Sequence, residues 1–466
     1  MQPLIRLFLS ATAAALLGPA TTHAQAPGSL TGDWTGEVGP IEFTAHLIDP
    51  AGGPRTATLD IPAQHAQGLV LQFTAPADSV YLRMRQPVAA QFAGRRSADG
   101  QHLEGEWQQG LRSFPLTLTR AGAAKPAGPK RPQTPQPPFP YQSAEVTFKN
   151  EKAGITLAGT YTVPADKGPF PAVVLLTGSG PEDRNETIMG HQPFAVLADY
   201  LTRHGIAVLR FDDRGVGQSG GTLKGSTSAD YTTDAQAALA WLRAQPGIRK
   251  NQVGALGHSQ GGTAAIGAAG QPGGPDFLVL LAAPGMPGDE LIVQQVLGLA
   301  KVGCIDAVQM MYVERAQRQV IEAIEKNPDN EQARVKLRPL LNYGKSTDPT
   351  FLAQVESQID VATSPDYRHL LADRPAQTLA KVHCPVLALG GSKDRQVPAT
   401  ANLAATVAGL KTADNRDVTT KELPGLNHLF QTANTGGPDE YGTIEETFAP
   451  GALAVISDWI TQHTRK

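Results

Sequence analysis

Apolar and polar positions change period once along this chain. In residues 28–120 they alternate in short runs, at 41–48, 56–61, 69–73, 80–85, 89–94, 103–107 and 114–119, each bounded by Gly, Pro, Asp or Ser. Period-two alternation puts one face of a segment in a core and the other in water, so these runs predict strands. Asp99-Gly100 supplies a tight turn between two of them. Seven or eight short strands in succession predict a small all-β domain, an antiparallel meander closed as a barrel or folded as a sandwich. From Tyr141 onward the pattern differs. Residues 145–149 and 155–163 alternate as a hairpin, whereas 172–177 (AVVLLT) is continuously apolar, as in a strand covered on both faces. Helical periods at 194–204, 229–244, 260–269 and 451–463 then interleave with strand-like runs at 206–211, 253–256, 277–281, 386–389 and 419–423. That alternation predicts an α/β, doubly wound, mostly parallel sheet. Between Gly285 and Ala380 the strand signal lapses, and 291–301, 307–326, 331–341 and 351–361 have helical periods. They predict a helical cap over about residues 286–380.

Residues 121–140 (AGAAKPAGPKRPQTPQPPFP) lie between the two patterns. A stretch so rich in Pro, Ala and Gly buries too little to offset its ordering entropy and reads as a semi-rigid linker, its basic residues 125–131 solvated. Length agrees: 466 residues exceed the roughly 250–300 at which a single core stops growing. With 41% hydrophobic and 18% charged residues the composition is that of a soluble globular protein. A net charge of −3 without a long basic run argues against nucleic acid as a partner. At the N-terminus Arg6, the short apolar run 7–17 and the small-residue sites ending at Ala24 or Ala26 read as a signal peptide over residues 1–24. The run is shorter than the roughly 20 residues a spanning helix needs, and no Cys follows it. The expectation is export to the periplasm or beyond, without stable membrane insertion. Cys304 and Cys384 read as two separate buried thiols. The histidines show no metal-ligand spacing, so no metal is expected.

The chemistry concentrates in the second region. Gly257-His258-Ser259-Gln260-Gly261 follows a strand-like run and opens a helix of small residues. That context turns a five-residue match into a nucleophile elbow, in which glycines at 257 and 261 relieve crowding and the serine hydroxyl stands at the strand's C-terminal edge. A serine hydroxyl needs a base, and the base an orienting carboxylate, here in the order Ser, acid, His. Asp394 closes GGSKD just past a buried strand, and His428 closes LPGLNH after the last one. Ser259, Asp394 and His428 are therefore the candidate catalytic residues. For the oxyanion hole the candidates are the N–H of Gln260 and that of Ser179, with Gly178 and Gly180 as alternatives to Ser179. His258 reads as structural and His463 as exposed. The polar run Pro181 to Asn185 borders the mouth, as a substrate contact or as a loop ordered by salt bridges of Asp183 and Arg184. FDDRGVGQS, 211–219, reads as a structural turn with Arg214 paired to carboxylates.

Taken together and in order, LLTGSGPEDRNE, FDDRGVGQSGG, LGHSQGG, GSKDRQVP and LPGLNH make about 320 residues from Tyr141 onward resemble the α/β-hydrolases, within them the serine aminopeptidase-like and acyl-thioesterase-like esterases. The resemblance implies an eight-stranded α/β-hydrolase sheet with a helical cap. It also implies cofactor-free hydrolysis through an acyl-enzyme, with Ser259, Asp394 and His428 as triad. The chain departs from many relatives by carrying Thr177-Gly178 where they have His-Gly. Gly32-Asp33-Trp34 resembles the start of lipocalin barrels, but is read here as a Trp capping the core of a small β domain.

The leading functional expectation is hydrolysis of carboxylic esters of small or medium acyl groups. A peptidase, amidase or thioesterase on the same triad is the alternative. Dehalogenase and epoxide-hydrolase chemistries on this fold would place Asp at 259 and are disfavoured. From a different class, the β domain is a candidate binding module for a glycan, lipid or cell-wall partner, or a surface for a homodimer.

Overall fold

The computed structural model describes residues 29–38, 41–50, 53–61, 66–84, 90–109, 112–123, 129–302, 306–341 and 349–465. The segment expected to be a signal peptide and Cys304 lie outside them. The chain divides into two compact units, residues 1–128 with 329–361, and residues 129–328 with 362–466.

In the first unit eight antiparallel strands close into a barrel: β1 (Gly32–Val38), β2 (Ile41–Ile48), β3 (Thr56–Ile61), β4 (Ala66–Thr74), β5 (Ser79–Met84), β6 (Ala90–Arg96), β7 (His102–Gln109) and β8 (Arg112–Arg120). Each pairs with its sequence neighbour, and β1 returns to β8 through Trp34↔Arg120 and Thr35↔Thr119. Closure removes the sheet edges that a sandwich would leave. The inward positions predicted by alternation, among them Phe43, Leu59, Leu82, Phe92, Leu103 and Leu118, fill the interior. β1 is the strand that alternation does not reveal. Trp34 and Gly36 point inward along it, and a Cβ on Gly36 would stand 2.6 Å from Leu118 Cδ2. Trp34 lies within the strand and packs into the barrel core. It is fully buried, donates its indole N–H to Leu30 at 2.9 Å, and carries Arg120 over its ring.

The second unit is built on an eight-stranded sheet formed by β9 (Tyr141–Asn150), β10 (Ile155–Pro164), β11 (Phe170–Leu176), β12 (Ala207–Phe211), β13 (Ile248–His258), β14 (Leu278–Leu281), β15 (Val386–Gly391) and β16 (Val418–Leu423). Their order is β16-β15-β14-β13-β11-β12-β10-β9. β9 and β10 pair antiparallel, as do β10 and β12, and every other pair is parallel. The expected doubly wound sheet is therefore the one observed. Helices α1 (Pro193–Arg203), α2 (Ser228–Arg243) and α3 (Gln260–Ala269) follow the central strands. Between β14 and β15 in sequence come α4 (Gly288–Val302) and α5 (Ala307–Glu325), then α6 (Asn330–Leu340) and α7 (Pro349–Ala362), whose residues up to 361 group with the first unit, then α8 (Pro365–Ala372) and α9 (Pro375–Leu379). α10 (Ala399–Lys411) follows β15, and α11 (Pro450–Thr464) ends the described chain. One apolar core gathers α2 and α3 on one face of the sheet, and a second gathers α1 and α11 on the other. β11 and β15, covered on both faces, are buried almost throughout, whereas the edge strand β16 is mostly exposed.

The Pro-rich segment is less free than its composition implies. Arg131, read above as solvated, donates to the carbonyls of Ile444, Met189 and Gly442 at 2.8, 2.9 and 2.7 Å. Gln133 accepts the N–H groups of Thr447 and Phe448 and donates to the carbonyl of Phe448. Three carbonyls converging on one guanidinium anchor the segment through polar contacts, which hydropathy cannot register. His463, expected to be exposed, is half-buried and stacked on Trp459 at 3.9 Å. Cys384 is a free, half-buried thiol. No described helix is long and apolar enough to cross a membrane.

Candidate active site

Ser259 stands between the end of β13 and the first residue of α3, with φ 50° and ψ −120°. A non-glycine residue at positive φ is strained, and here the strain is held by its surroundings. The Ser259 N–H donates to Leu281 at 2.9 Å, and its carbonyl accepts from Gly262 at 2.9 Å. The neighbouring glycines are sterically required. A Cβ on Gly257 would lie 2.2 Å from the Gly261 carbonyl oxygen, and one on Gly261 would lie 2.1 Å from that of Leu176. The crowding expected at positions 257 and 261 is present, and it comes from the helix in one case and from the neighbouring strand in the other.

Asp394 and His428 lie in the loops after β15 and β16, at the same end of the sheet as Ser259. Nδ1 of His428 donates to Oδ2 of Asp394 at 2.8 Å, and the two side chains are only 6% and 0% exposed. The other carboxylate oxygen of Asp394 accepts the N–H groups of Gln396 and Val397, both at 2.8 Å. With Nδ1 committed to a carboxylate, the Nε2 of neutral His428 is left as a proton acceptor. The two loops are joined by Lys393 N–H donating to Leu426 at 2.9 Å. Asn427, fully buried, accepts from Leu429 and Gln431 and so fixes the turn that carries His428.

Among the oxyanion candidates, Gln260 is the first residue of α3, so its N–H lies outside the intrahelical ladder. Gly178 is taken: its N–H donates to Oε1 of Glu186 at 2.8 Å. Ser179, the next residue, is exposed at the mouth of the loop. A Cβ built on Gly178 would stand 3.6 Å from Cβ of Ser259, so this loop lies directly against the serine.

The polar run beside it is ordered by ion pairs. Arg184 chelates Asp212 through Nε at 2.9 Å and Nη2 at 2.7 Å and also pairs with Glu145. Asp183 closes its own turn by accepting from Asn185 and Thr187. In the next loop Arg214 pairs with Asp234 at 2.8 Å and Asp230 at 3.2 Å, the structural role expected of it. Burial and the neighbouring carboxylates push Glu182 up to about 8, and burial pushes Asp213 up to about 7.

One participant escapes sequence inspection. Glu186, at φ 53°, is buried and reaches both Gly178 and His258. In sequence it is the last acid of a charged loop, and nothing in the pattern separates a buried carboxylate there from a solvated one. His258 also lies against the His428 loop, its Nε2 donating to the His428 carbonyl at 2.9 Å. Burial opposes a charge on His258, but the Glu186 carboxylate more than offsets it and raises the imidazole to about 9. Lining a cavity of about 250 Å³, Gln294, Leu297 and Lys301 of α4 face Arg395 and Thr400 beyond Asp394. Among the described residues no three His, Cys, Asp or Glu side chains converge to hold a metal ion.

A family model described as X-Pro dipeptidyl-peptidase (S15 family) matches residues 153–419, more than half of the chain. The chain belongs to this S15 family. Membership places it among the serine hydrolases of the α/β-hydrolase superfamily, in agreement with the fold described above. The matched span of this S15 chain contains Ser259 and Asp394 and stops short of His428. It is also similar to Esterase EstD of Thermotoga maritima, 33% identical over 153 residues. That alignment covers 33% of this chain and 36% of the relative, so the chain spans about a third of the curated relative it matches. Two solved structures similar to it are the Pyrococcus furiosus esterase Pf2001 and Est1E from Butyrivibrio proteoclasticus, the latter with ferulic acid bound. They are 16% and 17% identical, with TM-scores of 0.42 for both, covering 72% and 69% of this chain and 99% and 100% of theirs.

Proposed function

We propose that this S15-family chain hydrolyses carboxylic esters of small or medium acyl groups through an acyl-enzyme on Ser259. The observation that carries the reading is the pairing of a strained Ser259 elbow with a buried His428–Asp394 hydrogen bond at the same sheet end. In this reading Nε2 of His428 takes the proton from Ser259 Oγ as that oxygen attacks the ester carbonyl. Asp394 holds the imidazole in the required tautomer and balances the charge that develops on it. The oxyanion is met by the N–H groups of Gln260 and Ser179, next to the N-terminus of α3. His428 then returns its proton to the departing alkoxide, and water repeats the sequence on the acyl-enzyme to release the acid and restore Ser259.

The X-Pro dipeptidyl-peptidase activity for which the family is described favours a second reading, cleavage of an amide after an Xaa-Pro unit on the same residues. Purified protein assayed on a series of p-nitrophenyl acyl esters and on Xaa-Pro p-nitroanilides decides between them. Ester turnover that exceeds anilide turnover supports the first reading, and the reverse order supports the second.

A further inference from the structure

Buried directly behind Ser259 is a second acid–imidazole pair that the proposed chemistry does not use. Oε1 of Glu186 accepts both the Nδ1–H of His258 and the N–H of Gly178, each at 2.8 Å. The far nitrogen of the same ring, Nε2, donates to the backbone carbonyl of His428 at 2.9 Å. We propose that Glu186 and His258 are positioning residues, a clamp that holds the oxyanion loop, the nucleophile elbow and the His428 loop in register without touching substrate. The proposal rests on the reading of Ser259 as nucleophile and goes beyond it.

Three loops leave the sheet at separate strands, β11, β13 and β16, and the pair is bonded to all three. The bond to Gly178 anchors the backbone of this loop one residue before the Ser179 N–H. Fixing the His428 carbonyl holds the backbone of the base while Asp394 holds its ring, so the imidazole is constrained from both ends. The fit behind the serine is close: a Cβ on Gly178 would stand 3.2 Å from Oε1 of Glu186 and 3.5 Å from Nδ1 of His258.

The protonation state follows from the partners. A carboxylate and a carbonyl are both acceptors, so both ring nitrogens must donate, and His258 is an imidazolium balanced by Glu186. Glu182, Asp213 and Asp394 also face this pair electrostatically, and the His428 ring lies 4.8 Å from the His258 ring between centroids. The two side chains are 7% and 6% exposed. Burying an ion pair gives no general gain in stability over a well-packed apolar pair, but an apolar pair supplies no directed donors. The chain also accepts a left-handed backbone at Glu186 and holds that segment with the Glu186 N–H to Asp183 bond and with Arg131 on the Met189 carbonyl. This outlay in strain and desolvation goes to geometry.

The test compares Glu186→Ala and Glu186→Gln with wild type on a p-nitrophenyl ester. It also follows fluorophosphonate labelling of Ser259 and the ring ¹⁵N–¹H signals of His258. For Glu186→Ala, kcat falls about 100-fold, the scale expected when reacting groups are misplaced by about an ångström, with KM changed less than about twofold. Glu186→Gln keeps an acceptor for Gly178 and recovers about tenfold of that loss. In both variants the label still reaches Ser259, more slowly by the same factor, and at pH 8 the doubly protonated His258 signal seen in wild type is gone. Either folded variant with kcat within twofold of wild type overturns the clamp. So does a loss confined to KM. If Glu186→Ala does not fold, Glu186→Gln alone decides by the same criteria. Ester hydrolysis that survives Ser259→Ala would instead overturn the underlying reading and leave the Glu186 result to be judged separately.

Discussion

Replacing Asp394 by Asn tests the base through its partner. Oδ1 of Asp394 accepts two backbone N–H groups, from Gln396 and Val397, and Oδ2 accepts Nδ1–H of His428. An Asn side chain keeps its oxygen toward the two backbone donors, because turning the amide over would set its NH₂ against both. Its NH₂ must then face Nδ1 of His428. Two donors cannot share that contact, so the imidazole moves its proton to Nε2 and can no longer accept one from Ser259. Loss of the correct tautomer in a Ser-His-Asp site has a known scale of about 10⁴ in kcat, here taken over from another enzyme. That corresponds to about 5.5 kcal/mol of transition-state stabilisation. The substitution is nearly isosteric at a fully buried side chain, so the thermal midpoint serves as the control for folding. The assay is kcat on a p-nitrophenyl ester at pH 7.5 beside Asp394→Ala, which removes the opposing donor and retains more activity than Asn. Activity of Asp394→Asn within tenfold of wild type, with an unchanged melt, would refute the reasoning and place the orienting acid elsewhere.

Other consequences are more quickly checked. Gly261→Ala forces a methyl to 2.1 Å from the Leu176 carbonyl, and overpacking of this kind costs about 1–3 kcal/mol, so a melt identical to wild type would contradict the elbow packing. Arg214→Met leaves Asp234 buried without its guanidinium and destabilises by about 3–5 kcal/mol in urea titration, while kcat of the folded fraction stays as it was. The proton on His258 is held more tightly folded than unfolded, so its stabilisation is complete below about pH 6.5 and is lost as pH rises through about 9. Glu182 and Asp213, raised to about 8 and 7, act with the same sign. The pH dependence of the melting temperature between pH 7 and 10 is therefore steeper in wild type than in Glu186→Gln; parallel curves would rule out the ion pair as its source.

What could be read in advance follows the kind of signal each element carries. β11 and β15 are buried on both faces and appear as unbroken apolar runs, and Ser259, Asp394 and His428 each follow such a strand or close a distinctive turn. β1 was hidden because an inward position is occupied by Gly36, made small by Leu118 and Phe43. α10 was hidden for a related reason: its buried face is Ala399, Asn402, Thr406, Gly409 and Leu410, small or polar residues at helical spacing apart from the last. Asn402 belongs there because its side chain accepts the N–H groups of Gly285 and Met286. Arg131 and Glu186 share a different obscurity. Arg131 acts on distant backbone carbonyls and Glu186 on the distant His258 ring, hydrogen bonds that leave no period in the sequence and become visible only when the loops are assembled.

All of the proposed chemistry depends on Ser259 being the nucleophile of an ester hydrolase. The most direct test is to quench the protein during turnover of a p-nitrophenyl ester and locate the acyl group by peptide mass spectrometry. The expected result is a single acyl adduct on the peptide containing Ser259, with neither adduct nor turnover in Ser259→Ala. An adduct on another residue, or turnover that persists in Ser259→Ala, would contradict it.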